Sequence, residues 1–167
     1  DFQEAENLVI ALLLRELEEA GVSMIGDGGI RWDSIFDVTR KIAQCSKFKQ
    51  LVRIPDVNHF HRQPLFAKGN RTVKTVNLRN AALPDSILGE DLSFALARAT
   101  RPIVMCLPGP YSCARQTENR DEIGFAKLAF AYADILAEEI RYLLTHGAVM
   151  GRIEDPQILS HPKEFEF

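Results

Sequence analysis

The chain alternates between helical periodicity and short apolar runs, and several of these runs are followed by loops of glycine, proline or acidic residues. Apolar residues recur at three- and four-residue steps from Phe2 to Ala20, and Gly21 follows them. A second such stretch begins at Asp121 and stops at His146-Gly147. This pattern predicts two amphipathic helices that glycines terminate.

Three short apolar runs are typical of buried strands: Val22 to Ile25, Ile103 to Leu107 and Ala148 to Ile153. Two further helices are predicted, one from Asp33 or Ser34 to about Cys45 and one from Asp85 to about Ala99. The repeated order of strand, loop and helix predicts an α/β fold with parallel strands and right-handed crossover helices.

Between Phe48 and Leu78 the pattern changes to short pieces that favour strands. They are Leu51 to Ile54, Pro64 to Phe66 and Thr72 to Val76. We predict a β-hairpin excursion around residues 50–78. Because 46% of the 167 residues are apolar, residues 1–167 can form a single domain with a real core.

Composition excludes several classes of protein. The 20 basic and 23 acidic residues are scattered, so we expect no nucleic-acid partner. The longest apolar run, Leu8 to Leu14, is far shorter than the roughly 20 residues that span a bilayer, so we expect no membrane segment. Three unpaired cysteines favour a reducing, cytoplasmic location. The start at Asp1 shows no signal-peptide pattern, and we expect that the true start can lie upstream.

Loops after strands carry the candidate site, because function in parallel α/β folds collects at the carboxyl ends of strands. In the loop 26–33, Asp27 can hold a substrate ammonium group, and Arg31 and Asp33 can pair to fix the backbone. The alternative for this loop is a plain turn with an aspartate cap.

The other two loops follow the later strands. In residues 108–112, Gly109 lies between two prolines, and Tyr111 and Ser112 add hydroxyl donors; the alternative is a simple strand terminator. Glu154 and Asp155 precede a proline, which holds them extended, so one can face a ligand while the other turns away. The alternative is a solvated acidic turn.

Metal and thiol chemistry have weaker support. His59 and His61 would share a face of a strand, but no nearby cysteine or carboxylate cluster completes a metal site, and a polar hairpin face is the simpler interpretation. Cys106 is predicted to lie in the core and Cys45 at a helix end, while Cys113 is predicted to be the accessible thiol.

The succession of motifs resembles the catalytic domain of cobalamin-independent methionine synthases (methionine synthase II), in particular short archaeal-type relatives. Glu18 to Val22, leading into the turn at Gly26, is similar to that family's E-E-A-G helix end and following turn, with an I-R-W-D sequence after it. Leu107 to Pro110 resembles its L-T-G-P loop, and Ile153 to Pro156 its I-D-E-P motif. The resemblance runs from about residue 4 to residue 159.

This resemblance implies a partial (βα)8 TIM-type barrel, of which the chain is the N-terminal portion. It implies methyl transfer to a thiol such as homocysteine, from methyltetrahydrofolate or from a methylcorrinoid protein. Asp27 takes the place of the glutamate that binds the homocysteine amino group, Glu154 that of the I-D-E-P aspartate and Asp155 that of the following glutamate. Complete members of the family hold zinc, which activates the thiol.

The chain departs from that family in ways that leave alternatives open. Asp27 is one methylene shorter than the family glutamate, Glu154-Asp155 inverts the acidic pair, and no H-x-C zinc motif occurs, so no metal ligand or cofactor is identifiable. The alternative is a truncated, non-catalytic relative that acts as a binding module or completes its barrel by homo-oligomerisation. A porphyrinogen decarboxylase relative is disfavoured, since no cluster of strand-end arginines is evident.

Overall fold

The computed structural model describes residues 1–32, 38–39, 51–54, 59–62, 65–66, 86–119, 124–161 and 164. Its helices are α1 (Phe2–Glu19), α2 (Gly89–Leu96), α3 (Pro110–Gln116), α4 (Phe125–Thr145) and α5 (Gln157–Ser160). Its strands are β1 (Leu51–Ile54), β2 (His59–Arg62), β3 (Leu65–Phe66), β4 (Ile103–Pro108), β5 (Glu118–Asn119) and β6 (Ala148–Glu154). The fold is therefore mixed α/β, as the alternation predicts.

The chain divides into two compact units. The first comprises Asp1–Asp33, Leu78–Leu107 and Ala137–Ile153, and the second comprises Ser34–Asn77, Pro108–Leu136 and Glu154–Phe167. Helix α4 passes from the second unit into the first. The prediction of a single domain stays a prediction.

Parallel pairing occurs in both units. In the first, Ile25 forms a parallel bridge with Ile103, and β4 is the hydrogen-bonded neighbour of β6. The strand predicted over residues 22–25 thus reduces, among the described residues, to a single bridge at Ile25. In the second unit β3 pairs with β5 in parallel.

The predicted hairpin is present in the part of residues 50–78 that the structure describes. Strands β1 and β2 are antiparallel, with Leu51 opposite Arg62 and Ile54 opposite His59. The sequence pattern missed β2 as a strand, although the two-residue spacing of its histidines fits one. The strand predicted over residues 72–76 lies outside the described residues.

Helix ends in the first unit are stabilised by local capping residues and by one long-range contact. Asp1 and Glu4 form a capping box at the start of α1, and Gly21 follows its end with φ 78°, as predicted. At the start of α2, the buried Glu139 of α4 accepts hydrogen bonds from the Ile87 and Leu88 amides at 3.1 and 3.0 Å. Asp85, the predicted cap of α2, lies outside the described residues.

Each unit has its own apolar core. Buried side chains of α1, α2, β4 and the end of α4 fill the first unit: Ile10, Leu14, Leu88, Leu92, Ala95, Ile103, Met105, Leu107 and Leu143. Buried side chains of α3 and the start of α4 fill the second: Tyr111, Cys113, Ala114, Leu128, Tyr132, Ile135 and Leu136. Among the described residues, no helix combines the length and apolar content that crossing a membrane requires.

Candidate functional site: two groups of strand-end residues

The loop after Ile25 leaves the first unit's sheet where the backbone is crowded. A Cβ atom at Gly26 would lie 2.6 Å from the carbonyl oxygen of Val104, so this position requires glycine. Gly28 and Gly29 follow with φ of 69° and 66°, which other residues rarely adopt. These glycines place Asp27 directly beyond the strand end.

Asp27 is a buried carboxyl group, with 4% of its surface exposed. Burial raises the pKa of this carboxyl above its ordinary value, and the nearby charge of Asp91 raises it further. A hydrogen bond from the Gly29 amide to Asp27 Oδ1, at 3.1 Å, and the charge of Arg31 act in the opposite direction. The hydrogen bond thus fixes the position of the carboxylate, but these contacts do not fully offset the cost of burying its negative charge.

Arg31 links this loop to two helices of the same unit. Its guanidinium donates to Asp91 Oδ1 on α2 at 2.6 Å and to Asn7 Oδ1 on α1 at 2.5 Å, and it lies over the Phe94 ring at 4.7 Å. Asp33, the partner predicted for Arg31, lies outside the described residues. The sequence pattern missed Asp91, because an aspartate in the first turn of a helix is ordinarily a favourable charge at the helix start.

The second group of residues, in the other unit, is organised around Asp155. Its carboxylate accepts hydrogen bonds from the Tyr111 amide at 3.2 Å and the Ser112 amide at 2.7 Å, and a short one from the Ser112 hydroxyl. The Ser112 hydroxyl in turn accepts from the Gln157 amide at 3.1 Å. Asp155 therefore fastens the first turn of α3, where an acidic group is most favourable.

Gly109 makes this arrangement possible. A Cβ atom at this position would overlap the carboxyl group of Asp155, so only glycine allows the approach. The Gly109 amide also donates to the carbonyl oxygen of Glu154 at 2.6 Å. The loop predicted over residues 108–112 is in part wrong, since a helix begins at Pro110, a position that suits proline because a first-turn amide needs no partner.

The predicted hydroxyl donors of this loop already have partners within the protein. The Tyr111 hydroxyl donates to Glu164 at 2.9 Å and accepts from Arg115 Nε at 3.0 Å, and Arg115 forms an ion pair with Glu164. Glu154, in contrast, ends β6 with its side chain exposed. The two adjacent carboxylates at 154 and 155 thus lie in different surroundings.

Cys113 is not the accessible thiol that the sequence suggested. It lies on the buried face of α3 with no exposed surface, and the Thr39 hydroxyl contacts its sulfur at 3.5 Å. Burial raises the pKa of this thiol to about 12. Cys106, predicted as core, is only partly buried in β4, and Cys45 lies outside the described residues.

The donor set among the described residues does not fit a zinc ion. No group of three histidine, cysteine, aspartate or glutamate side chains is placed there to hold a metal. The backbone of β2 carries both His59 and His61, so that segment is extended as the histidine spacing required. No chemical step is assigned to a metal in this part of the chain.

Comparison with known proteins finds similarity to several proteins named methionine synthase. No family model matches the chain. A methionine synthase of Sulfurisphaera tokodaii is 23% identical over 167 residues, covering 100% of this chain and 46% of that protein. A methionine synthase of Thermococcus kodakarensis is 27% identical over 166 residues, covering 98% of this chain and 46% of its own length. The chain thus spans about half the length of the curated relatives it matches.

A solved structure agrees in fold. A B12-independent methionine synthase from Shewanella sp. W3-18-1, in complex with selenomethionine, matches with a TM-score of 0.70 at 21% identity. The match covers 96% of this chain and 45% of that chain. The chain is therefore similar in sequence to proteins named methionine synthase, over a segment somewhat shorter than half of their length, and similar in fold to a B12-independent methionine synthase.

Proposed function

We propose that this chain is the amino-acid-binding part of a methyltransferase-like protein that passes a methyl group to a thiol such as that of homocysteine. The observation that carries the proposal is the similarity to proteins named methionine synthase along nearly the whole chain. A relative solved in complex with selenomethionine supports an amino-acid ligand. On this proposal, the chain forms part of a (βα)8 barrel.

The roles of the chain's own residues follow from their surroundings. Asp27 binds the ammonium group of the amino acid, and Arg31 fixes the loop that carries Asp27. Asp155, Gly109, Ser112 and Tyr111 hold the strand-end loop in place. In the reaction the thiolate sulfur bonds to the methyl carbon, and the bond from that carbon to the donor breaks and leaves its electron pair on the donor. The donor is methyltetrahydrofolate or a methylcorrinoid protein.

Calorimetry with L-homocysteine and L-methionine on the whole chain tests this proposal. We expect binding of both amino acids and its loss in Asp27→Ala, because the ammonium group would have no carboxylate at that position. Glu138→Ala is the control, since it removes an exposed carboxylate from α4. Unchanged affinity in Asp27→Ala, or no binding by the wild-type chain, would contradict the assignment.

A second candidate is a non-catalytic relative that completes its barrel by homo-oligomerisation. The observation that favours it is the surface of β6, where Val149, Met150 and Ile153 are 50%, 43% and 43% exposed. Such an apolar strand is typical of a sheet interior. Light scattering should then give a dimer that Val149→Lys converts to a monomer. A wild-type monomer at all concentrations would sink this candidate.

A further inference from the structure

Among the described residues of the first unit, the charges of Asp27, Asp91 and Arg31 do not cancel. The carboxyl groups of Asp27 and Asp91 are 4% and 5% exposed, and the Arg31 guanidinium donates to Asp91, whereas the Arg98 guanidinium lies over the Phe94 ring. The second terminal nitrogen of Arg31 goes to the Asn7 amide oxygen, which carries no charge. When both carboxyls are ionised, Asp27, Asp91 and Arg31 together carry one net negative charge, and a buried charge without a counter-charge is costly.

One oxygen of this cluster has no partner. Asp91 Oδ1 accepts from Arg31 at 2.6 Å, whereas Asp91 Oδ2 is buried without a hydrogen-bond partner among the described residues. The Asp91 side chain is only 7% exposed, so solvent hardly compensates it. Buried carboxylate oxygens are nearly always hydrogen-bonded, which indicates that a donor is missing here.

The two carboxyl groups are linked through Arg31, because the loop that carries Asp27 also carries Arg31, which donates to Asp91 Oδ1 at 2.6 Å. Burial is the main cause of the raised pKa of Asp27, and the charge of Asp91 raises it further. The Arg31 side chain is the more accessible member of its ion pair, at 16% exposure. A group with one positive charge and more than one hydrogen-bond donor would offset this charge and give the buried Asp91 Oδ2 a partner.

We propose that Asp91 is a second carboxylate of the ammonium subsite, so that a primary ammonium group binds between Asp27 and Asp91 while Arg31 neutralises the other charge. A primary ammonium carries one charge and three N–H donors, enough for both carboxylates. A quaternary ammonium offers no donors, and a carboxylate adds to the excess negative charge. This inference rests on the proposed function, and it adds a residue 60 positions away from the Arg31 that it contacts.

Calorimetry with a matched pair of ligands tests the inference. L-Methionine and 4-(methylthio)butanoate differ only in the amino group. In Asp91→Asn, which keeps the size and the oxygen facing Arg31, affinity for L-methionine should fall about tenfold or more, with no change for the butanoate. Asp91→Glu should retain the preference for the amine. Glu90→Gln, an exposed charge on the same helix turn, should stay within about twofold of wild type.

The outcomes separate this inference from the proposed function. Equal losses for both ligands in Asp91→Asn, or no loss for either, would overturn the role of Asp91. If the wild-type chain binds neither ligand, the proposed amino-acid function fails, and the cation alone becomes the probe. Methylammonium chloride should then raise the Tm of wild type but not of Asp91→Asn, relative to tetramethylammonium chloride at equal ionic strength. No difference between the two salts would overturn the subsite itself.

Discussion

Asp27 follows the bridge residue Ile25 and Asp155 follows the end of β6, yet their surroundings differ. Asp155 accepts hydrogen bonds from two amides and a hydroxyl at the start of α3. Asp27 accepts a hydrogen bond from one amide, and burial raises its pKa. The comparison teaches that two aspartates in similar positions after a strand can differ in how fully the fold satisfies their hydrogen-bonding capacity.

The largest effect should come from Gly109→Ala, which disrupts the contact between Asp155 and the start of α3. The new methyl group overlaps the Asp155 carboxyl, so either α3 or the 154–156 turn must shift. We expect a loss of about 3 kcal/mol of unfolding free energy in urea. Gly124→Ala is the control, because nothing lies within 4 Å of its added Cβ, and it should change stability by less than about 0.5 kcal/mol. Equal effects would contradict the close approach.

A smaller loss should follow from Asp155→Ala. The variant leaves the Tyr111 and Ser112 amides without their acceptor, which should cost about 2 kcal/mol in the same urea experiment. Glu154→Ala is the neighbouring control, since its side chain is exposed and its carbonyl contact with Gly109 is kept. If Glu154→Ala were the more destabilising of the two, the distinction between the adjacent carboxylates would be wrong.

The smallest effect, and one of opposite sign, is expected for Asp27→Asn. The pKa of Asp27 is raised in the folded protein, so the folded state binds more protons than the unfolded chain between the two pKa values. Stability contributed by this group is therefore lost as pH rises through that interval. The asparagine variant escapes this loss and keeps an acceptor for Gly29, so its Tm should exceed that of wild type at pH 7.

This advantage should disappear below the ordinary carboxyl pKa of 3.8, where Asp27 is protonated in both states. Asp155→Asn serves as the comparison, because replacing a fully hydrogen-bonded carboxylate should lower the Tm at pH 7. Thermal unfolding followed by circular dichroism from pH 3 to pH 8 checks both signs. A lower Tm for Asp27→Asn at pH 7 would show that Asp27 also fastens its loop.

Local pattern predicted the long elements well. Helix α1 and the end of α4 follow from periodicity and from a glycine in the position that ends a helix, and β4 and β6 follow from their apolar runs. These features depend on neighbours within a few residues. The short helix α3 was missed, because its Pro-Gly-Pro start is equally typical of a strand terminator.

For the candidate site, too, local sequence pattern predicted the residues but not their long-range contacts. Asp27, Arg31, Glu154 and Asp155 could be named from strand-end loops alone, but their partners could not. Asp91 contacts Arg31 across 60 positions, and Asp155 contacts Ser112 across 43. Cys113 was predicted as accessible because the sequence does not show which side of a seven-residue helix faces the core.

The sequence by itself determined the α/β class, the order of its main elements and the strand-end loops that carry acidic residues, because periodicity and turn chemistry are local properties. Only the tertiary structure decided that the Asp155 carboxylate accepts several hydrogen bonds whereas Asp27 accepts one from a backbone amide. That difference depends on donors brought from distant parts of the chain and on the burial of the group, and neither quantity exists until the chain is folded.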